Sequence, residues 1–71
     1  MKRVKIVSNV IEGRGNSWYF DNIKERVYFD KINPTEAEVA EGEKFAAAQY
    51  EGMGWGRCFV EPPQVIVEAV S

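Results

Sequence analysis

The chain has 71 residues, of which 45% are hydrophobic and 28% charged, with a net charge of −2. This composition is typical of a folded domain rather than of a disordered segment, and the length allows one hydrophobic core. One cysteine and no histidine exclude an intramolecular disulfide and leave a poor ligand set for zinc. We therefore expect a single domain over residues 1–71, with no metal and no cofactor.

The distribution of polar and charged residues bears on location and on partners. No stretch reaches the roughly 18–20 apolar residues that a membrane span needs, and one unpaired cysteine fits a reducing compartment. We therefore expect a cytoplasmic protein. Residues 1–32 contain seven basic and four acidic side chains, whereas residues 33–71 contain two basic and seven acidic ones. Such an asymmetry affects which partners approach, and it does not determine the fold.

The first part of the chain has the period-two alternation of β-strands. Residues 3–11 alternate in this way and are rich in β-branched side chains, which predicts a first strand. The glycines and the asparagine of residues 12–16 predict a turn. Residues 17–21 and 25–32 then predict a second and a third strand, joined as a meander.

A helix is predicted next. Asn33 is a suitable N-cap, Pro34 suits the first helical position, and the helix should run to about residue 50 or 51, with Gly52 as its stop. At 100° per residue, Phe45 lies away from the apolar stripe, so either Phe45 is exposed or the helix is covered on two sides. The stripe consists of Val39, Ala46 and Tyr50, with Met53 adjoining it, Ala40 and Ala47 on a flank and Gly42 nearby.

The C-terminal part predicts two more strands. The glycines of residues 52–56 indicate a flexible loop, residues 57–61 a fourth strand, and residues 64–70 a fifth, separated by Pro62 and Pro63 because proline is confined to strand ends and edges. The predicted fold is α+β: a mainly antiparallel sheet of four to five strands with one helix packed on one face, in the order β-β-β-α-β-β.

Two side chains in the C-terminal part have a functional and a structural interpretation. Trp55 either fills the core or anchors a partner, and the core is favoured because small domains rely on large aromatic residues for buried area. Cys58 follows Arg57, which would lower a thiol pKa, but a catalytic cysteine needs a base, usually histidine. We therefore expect Cys58 to be a small buried strand residue, and we expect a protein that is not an enzyme.

The leading functional hypothesis is a small non-enzymatic protein that binds a host protein or protein complex as an inhibitor or adaptor. Several carboxylates on one helix can occupy a basic groove on another protein, and exposed apolar side chains beside them can serve as anchors. In size and character the chain is similar to the small inhibitors that phages and mobile elements use, anti-CRISPR proteins among them, although no particular residue carries that similarity. The proposed contact residues are Glu38, Glu41, Glu43, Phe45, Met53 and Trp55.

Two alternatives remain open. Alternation would put Val4, Ile6, Val10, Trp18, Phe20, Val27 and Phe29 against the helix, leaving a basic and aromatic face of the kind that binds nucleic acid. That face would consist of Arg3, Lys5, Tyr19, Arg26, Tyr28 and Arg57. The second alternative is a subunit of a homo-oligomer such as a homodimer, because the chain is small and predicts a free edge strand.

Overall fold

The computed structural model describes residues 1–12 and 22–70. None of the helices in this part of the chain is long and apolar enough to cross a membrane. The elements follow one another as strand, strand, helix, short 3₁₀ helix and strand. They are β1 (Lys2–Glu12), β2 (Asn22–Ile32), α1 (Glu36–Gly52), the 3₁₀ helix Gly54–Phe59 and β3 (Gln64–Ala69).

The sheet has three antiparallel strands in the order β2-β1-β3. The α+β class and the antiparallel sheet with one helix are therefore confirmed, whereas the count of four to five strands is not. The strand predicted at residues 17–21 lies outside the described residues. The meander is wrong, because β1 pairs directly with β2 from Arg3 opposite Ile32 to Glu12 opposite Asn22.

The predicted fourth strand, residues 57–61, is also wrong. Most of it belongs to the 3₁₀ helix. Its last residues reach the sheet through an isolated bridge from Val60 to Val10 and a hydrogen bond from the Glu61 N–H to the Asn9 carbonyl. Gly54 has a φ of +55°, a conformation that glycine adopts readily, so the chain turns at once after the helix. After Pro62 and Pro63 it continues along β1 as β3, which confirms the predicted fifth strand.

A β-bulge changes which side chains of β2 face the helix. Ile6 pairs with Phe29, but the next residue, Val7, pairs with Val27, and Tyr28 is passed over. One extra residue in one strand inverts the alternation beyond it. Phe29 therefore lies on the helix side of the sheet with Ile6, whereas Val27 lies on the other side with Val7. The expectation that Val27 faces the helix is wrong for this reason.

The helix begins two residues later than predicted. Its N-cap is Thr35, whose Oγ1 accepts a hydrogen bond from the Glu38 N–H while Glu38 Oε1 accepts one from the Thr35 N–H. This reciprocal capping box satisfies two donors that the first turn leaves free. Asn33 instead adopts a φ of +48° and its Oδ1 accepts from the Lys2 N–H at 2.9 Å, which ties the loop to β1.

The predicted apolar stripe of α1 is confirmed. Gly42 and Ala46 are buried against the sheet, and a Cβ atom at Gly42 would lie 2.7 Å from Phe29 Cδ2 and 3.0 Å from Ile6 Cδ1. Glycine thus allows a closer approach than any other residue would. The helix lies over β1 and β2 and not over β3. The buried apolar side chains among the described residues are few: Val4, Ile6, Val7 and Ala46.

Candidate protein-binding surfaces

The 3₁₀ helix Gly54–Phe59 holds Trp55 away from the rest of the protein. We name this segment the Trp55 turn. Trp55 is 91% exposed, so the expectation that it fills the core is wrong. The turn that carries it is nevertheless anchored, because Arg57 Nη1 donates to Glu51 Oε2 at 2.7 Å and the guanidinium lies 5.9 Å from the centre of the Tyr50 ring.

The turn also has backbone contacts to the end of α1 and a shallow apolar depression. The Gly56 N–H donates to the Met53 carbonyl at 3.0 Å, and the Met53 N–H donates to the Tyr50 carbonyl. Gly54, Trp55 and Cys58 line the depression. Cys58 is exposed and is not the buried strand residue that the sequence predicted, since its segment leaves the sheet. A large aromatic side chain is therefore presented on a supported turn.

The predicted acidic helix does not form one continuous surface. Glu38 closes the capping box and forms an ion pair with Lys31 of β2, so it has a structural role. Glu41 and Glu43 are exposed, but at 100° per residue they lie on opposite flanks of α1. Phe45 is 52% exposed, as predicted, and it shares the flank of Glu41.

Met53, the remaining predicted contact residue, is only partly exposed because it forms the C-cap of α1. The six predicted residues therefore do not form one surface. Trp55 stands alone on its turn, Phe45 and Glu41 share one flank of α1, and Glu43 lies on the other flank. Glu38 and Met53 belong to the two ends of the helix.

An apolar groove, missed by the sequence reasoning, runs between α1 and β3. Val65 and Val67 are 45% and 63% exposed on its floor, because α1 does not extend over their strand. The signal in the sequence was that residues 65–67 are apolar on both faces of a strand that has only one helix to cover it. The groove consists of two adjoining depressions, both of which are lined by Glu43 and Val65. Its other lining residues include Val4, Val39, Ala40, Ala47 and Pro63.

The predicted basic face is largely neutralised by carboxylates. Arg3 donates from Nε to Asp30 Oδ1 at 2.7 Å and from Nη2 to Oδ2 at 2.5 Å. This hydrogen-bonded guanidinium lowers the pKa of Asp30 below its ordinary value, and the carboxylate raises the pKa of Arg3. Since the pKa of Asp30 is lowered by folding, the pair stabilises the fold at neutral pH and loses that effect as acid protonates the carboxylate.

The other predicted cations are also engaged. Lys5 Nζ lies 3.5 Å from Glu25 and 3.7 Å from Glu68, and Arg57 is bound to Glu51. Arg26 stacks on Tyr28, with 5.6 Å from the guanidinium carbon to the ring centre.

The bulge in β2 also places the cations of the predicted basic face on two different faces of the sheet. Arg26 pairs with Ser8, which places it on the helix side, away from Arg3 and Lys5. The proposal that these three cations share a face is therefore wrong. Tyr19 lies outside the described residues.

We predict that short single-stranded DNA or RNA does not bind in a salt-sensitive way. A protein that binds phosphates must release counterions and so loses affinity as salt rises. On this sheet, however, Arg3 and Lys5 already have carboxylate partners, and Arg26 lies on the other face. A fluorescence anisotropy titration at 20 mM and 200 mM salt checks this. Tight binding at low salt that disappears at high salt would contradict this prediction and support the nucleic-acid alternative.

The residues described include no group of three or more histidine, cysteine, aspartate or glutamate side chains that could hold a metal ion. Their distinctive features are the Trp55 turn and the groove beside β3. In comparisons with known proteins, no family model, no curated protein and no solved structure matches this chain.

Proposed function

We propose that this chain is a non-catalytic protein-binding protein that uses Trp55 as its principal anchor on a host protein or protein complex. The observation that carries the proposal is the 91% exposure of Trp55 on a turn fixed by Arg57. Tryptophan is the residue type most enriched among the few side chains that dominate binding energy at protein interfaces. A buried tryptophan removes about 150–250 Å² from water, a large apolar gain for one side chain.

The Trp55 turn is held in place before any partner binds. Ordering a flexible loop on binding costs free energy, and a side chain that is already held in place avoids part of that cost. The Arg57–Glu51 pair and the Arg57–Tyr50 contact join the turn to the last turns of α1. Trp55 is therefore presented for insertion into an apolar pocket of a partner without rearrangement of the chain that carries it.

A second contact is proposed on the α1 flank that carries Phe45 and Glu41. Both are exposed, and they lie four residues apart, so they are neighbours on the helix surface. An aromatic ring beside a carboxylate fits a partner with an apolar site flanked by basic side chains. In this proposal the protein acts as an inhibitor or adaptor of the phage or mobile-element type, similar in kind to anti-CRISPR proteins, and works in the cytoplasm.

The expected result is that Trp55→Ala weakens binding at least about 30-fold, since loss of a central anchor costs about 2 kcal/mol or more. Proteins captured by the immobilised chain from its native host are identified, the leading one is purified, and its Kd is measured by calorimetry. Thermal unfolding of the variant should match that of the wild type, because an exposed side chain contributes little to stability.

Matched variants complete this test. Val27→Ala removes another exposed apolar side chain, on the sheet face that has no helix, and it should leave the Kd unchanged. Glu41→Lys should weaken binding about as much as Phe45→Ala does, whereas Glu43→Lys on the opposite flank should have little effect. If Trp55→Ala binds the purified partner as tightly as the wild type, the proposed anchor is wrong.

A further inference from the structure

The uncovered strand β3 carries an inference that does not depend on the proposed function. β3 pairs with β1 along one side, and within residues 1–12 and 22–70 nothing pairs with its other side. The centre of its edge is unprotected, because residues 65–67 contain no charge and no proline and no bulge interrupts the strand, while the charge of Glu68 lies toward one end. A free apolar edge of this kind is a template for another strand.

The hydrogen bonds show which backbone groups this edge presents. The Val70 N–H donates to the Met1 carbonyl, so the backbone of residue 70 points toward β1. Alternate residues of an antiparallel strand direct their backbone groups to opposite sides. Ile66 and Glu68 are therefore bonded to β1, whereas Val65, Val67 and Ala69 direct their N–H and C=O groups outward.

The side chains of β3 form a pattern that is symmetric about Ile66. Residues 64–68 read glutamine, valine, isoleucine, valine, glutamate. Two antiparallel copies related by a two-fold axis at Ile66 would place Val65 opposite Val67 and Gln64 opposite Glu68. Apolar side chains then meet apolar ones, and each carboxylate meets an amide. Val65 and Val67 are also the residues whose outward groups would form the hydrogen bonds.

Neighbouring registers fit less well. Moving the axis to Val67 puts Glu68 opposite Ile66, an apolar partner for a carboxylate. Moving it to Val65 puts Pro63, which has no N–H, opposite Val67. With the axis at Ile66, the two copies of Glu68 are separated by four residue steps, about 13 Å. That is beyond the screening length of about 8 Å at physiological salt.

The exposure of the β3 side chains agrees with a missing partner, since Val65 and Val67 are 45% and 63% exposed.

We infer that the chain forms a two-fold symmetric homodimer through antiparallel pairing of β3 with β3 of a second copy, centred on Ile66. The result is one continuous sheet of six described strands with the two α1 helices on the same face. The four exposed valines of the two copies, Val65 and Val67 from each, form the floor of a trough between the helices. Glu36 and Glu43, which line the groove of each copy, flank that trough.

Sedimentation velocity of the purified chain tests the dimer, with an expected mass about twice 8.1 kDa. Val67→Pro removes an outward N–H that has no partner among the described strands, so the fold should survive, since edge strands tolerate proline at such positions. Each dimer loses two hydrogen bonds, worth about a five-fold factor each, so dissociation should be about 25-fold or more easier. Val67→Thr keeps the N–H and should remain dimeric.

A cross-linking experiment tests the register separately. In a Cys58→Ser background, Ile66→Cys places the same residue of two copies face to face, within disulfide range. We expect a covalent dimer with oxidised glutathione as the oxidant. Glu68→Cys in the same background holds its copies about 13 Å apart and should not cross-link. A wild-type monomer at 200 µM, a dimer unaffected by Val67→Pro, or equal cross-linking at both positions would each overturn the inference.

Discussion

Replacing Ile6 by alanine should lower the free energy of unfolding by about 3–4 kcal/mol. Ile6 is 1% exposed at the centre of β1, and its Cδ1 lies directly beneath Gly42 of α1. Removing buried methyl groups loses their transfer free energy and leaves a cavity, for a total of about 2–5 kcal/mol. With so few buried apolar side chains, the surroundings have little else to fill that space.

The measurement is urea unfolding at one fixed protein concentration, so that any self-association affects all variants alike. Val27→Ala is the matched control, because Val27 is also a β-branched strand residue but is 50% exposed on the other face of the sheet. It should cost less than about 1 kcal/mol. Equal losses for Ile6→Ala and Val27→Ala would contradict the assignment of the two faces by the bulge.

The second large effect is expected at Gly42, where a valine should destabilise the fold by about 1–2 kcal/mol. A Cβ atom there would lie 2.9 Å from Phe29 Cγ and 3.0 Å from Ile6 Cδ1, so the helix must move away from the sheet or the ring must shift. Overpacking of this kind costs about 1–3 kcal/mol. It outweighs the gain of roughly half a kcal/mol that valine has over glycine in a helix.

Gly52 provides a control on the same helix. It lies at the C-terminal end of α1, its φ is not positive, and nothing lies within 4 Å of a Cβ atom there. Gly52→Ala should therefore be neutral or slightly stabilising. Thermal unfolding of Gly42→Ala, Gly42→Val and Gly52→Ala separates packing from helix propensity. A stabilised Gly42→Ala would show that the close approach of helix and sheet is absent.

The helix was the element best predicted from sequence, and its start shows where such reasoning fails. The apolar stripe from Val39 to Met53 follows from helix geometry alone, so it was correct in detail. The N-cap was wrong because Asn33 and Thr35 are both good caps. The choice between them depends on Lys2, whose N–H takes the Asn33 side chain. That contact joins residues 31 positions apart and has no local signal.

The candidate site was predicted less well, for two physical reasons. Trp55 was expected in the core because a small domain needs large apolar side chains. The chain instead turns at Gly54, after α1, into a 3₁₀ helix on which Trp55 is exposed. The groove beside β3 depends on which strands α1 covers. Strand alternation gives the two faces of a sheet, and it does not give the lateral position of a helix across them.

The bulge at Tyr28 has a consequence for how β2 can vary. The bulge reverses which alternate residues of β2 face the helix. The strand therefore consists of two short stretches whose side chains lie in different environments. Phe29 and Lys31 are constrained by α1 above them, whereas Val27 and Glu25 are constrained by the sheet surface that has no helix. Substitutions can therefore accumulate in one stretch without compensating changes in the other, provided that the extra residue of the bulge at position 28 is kept.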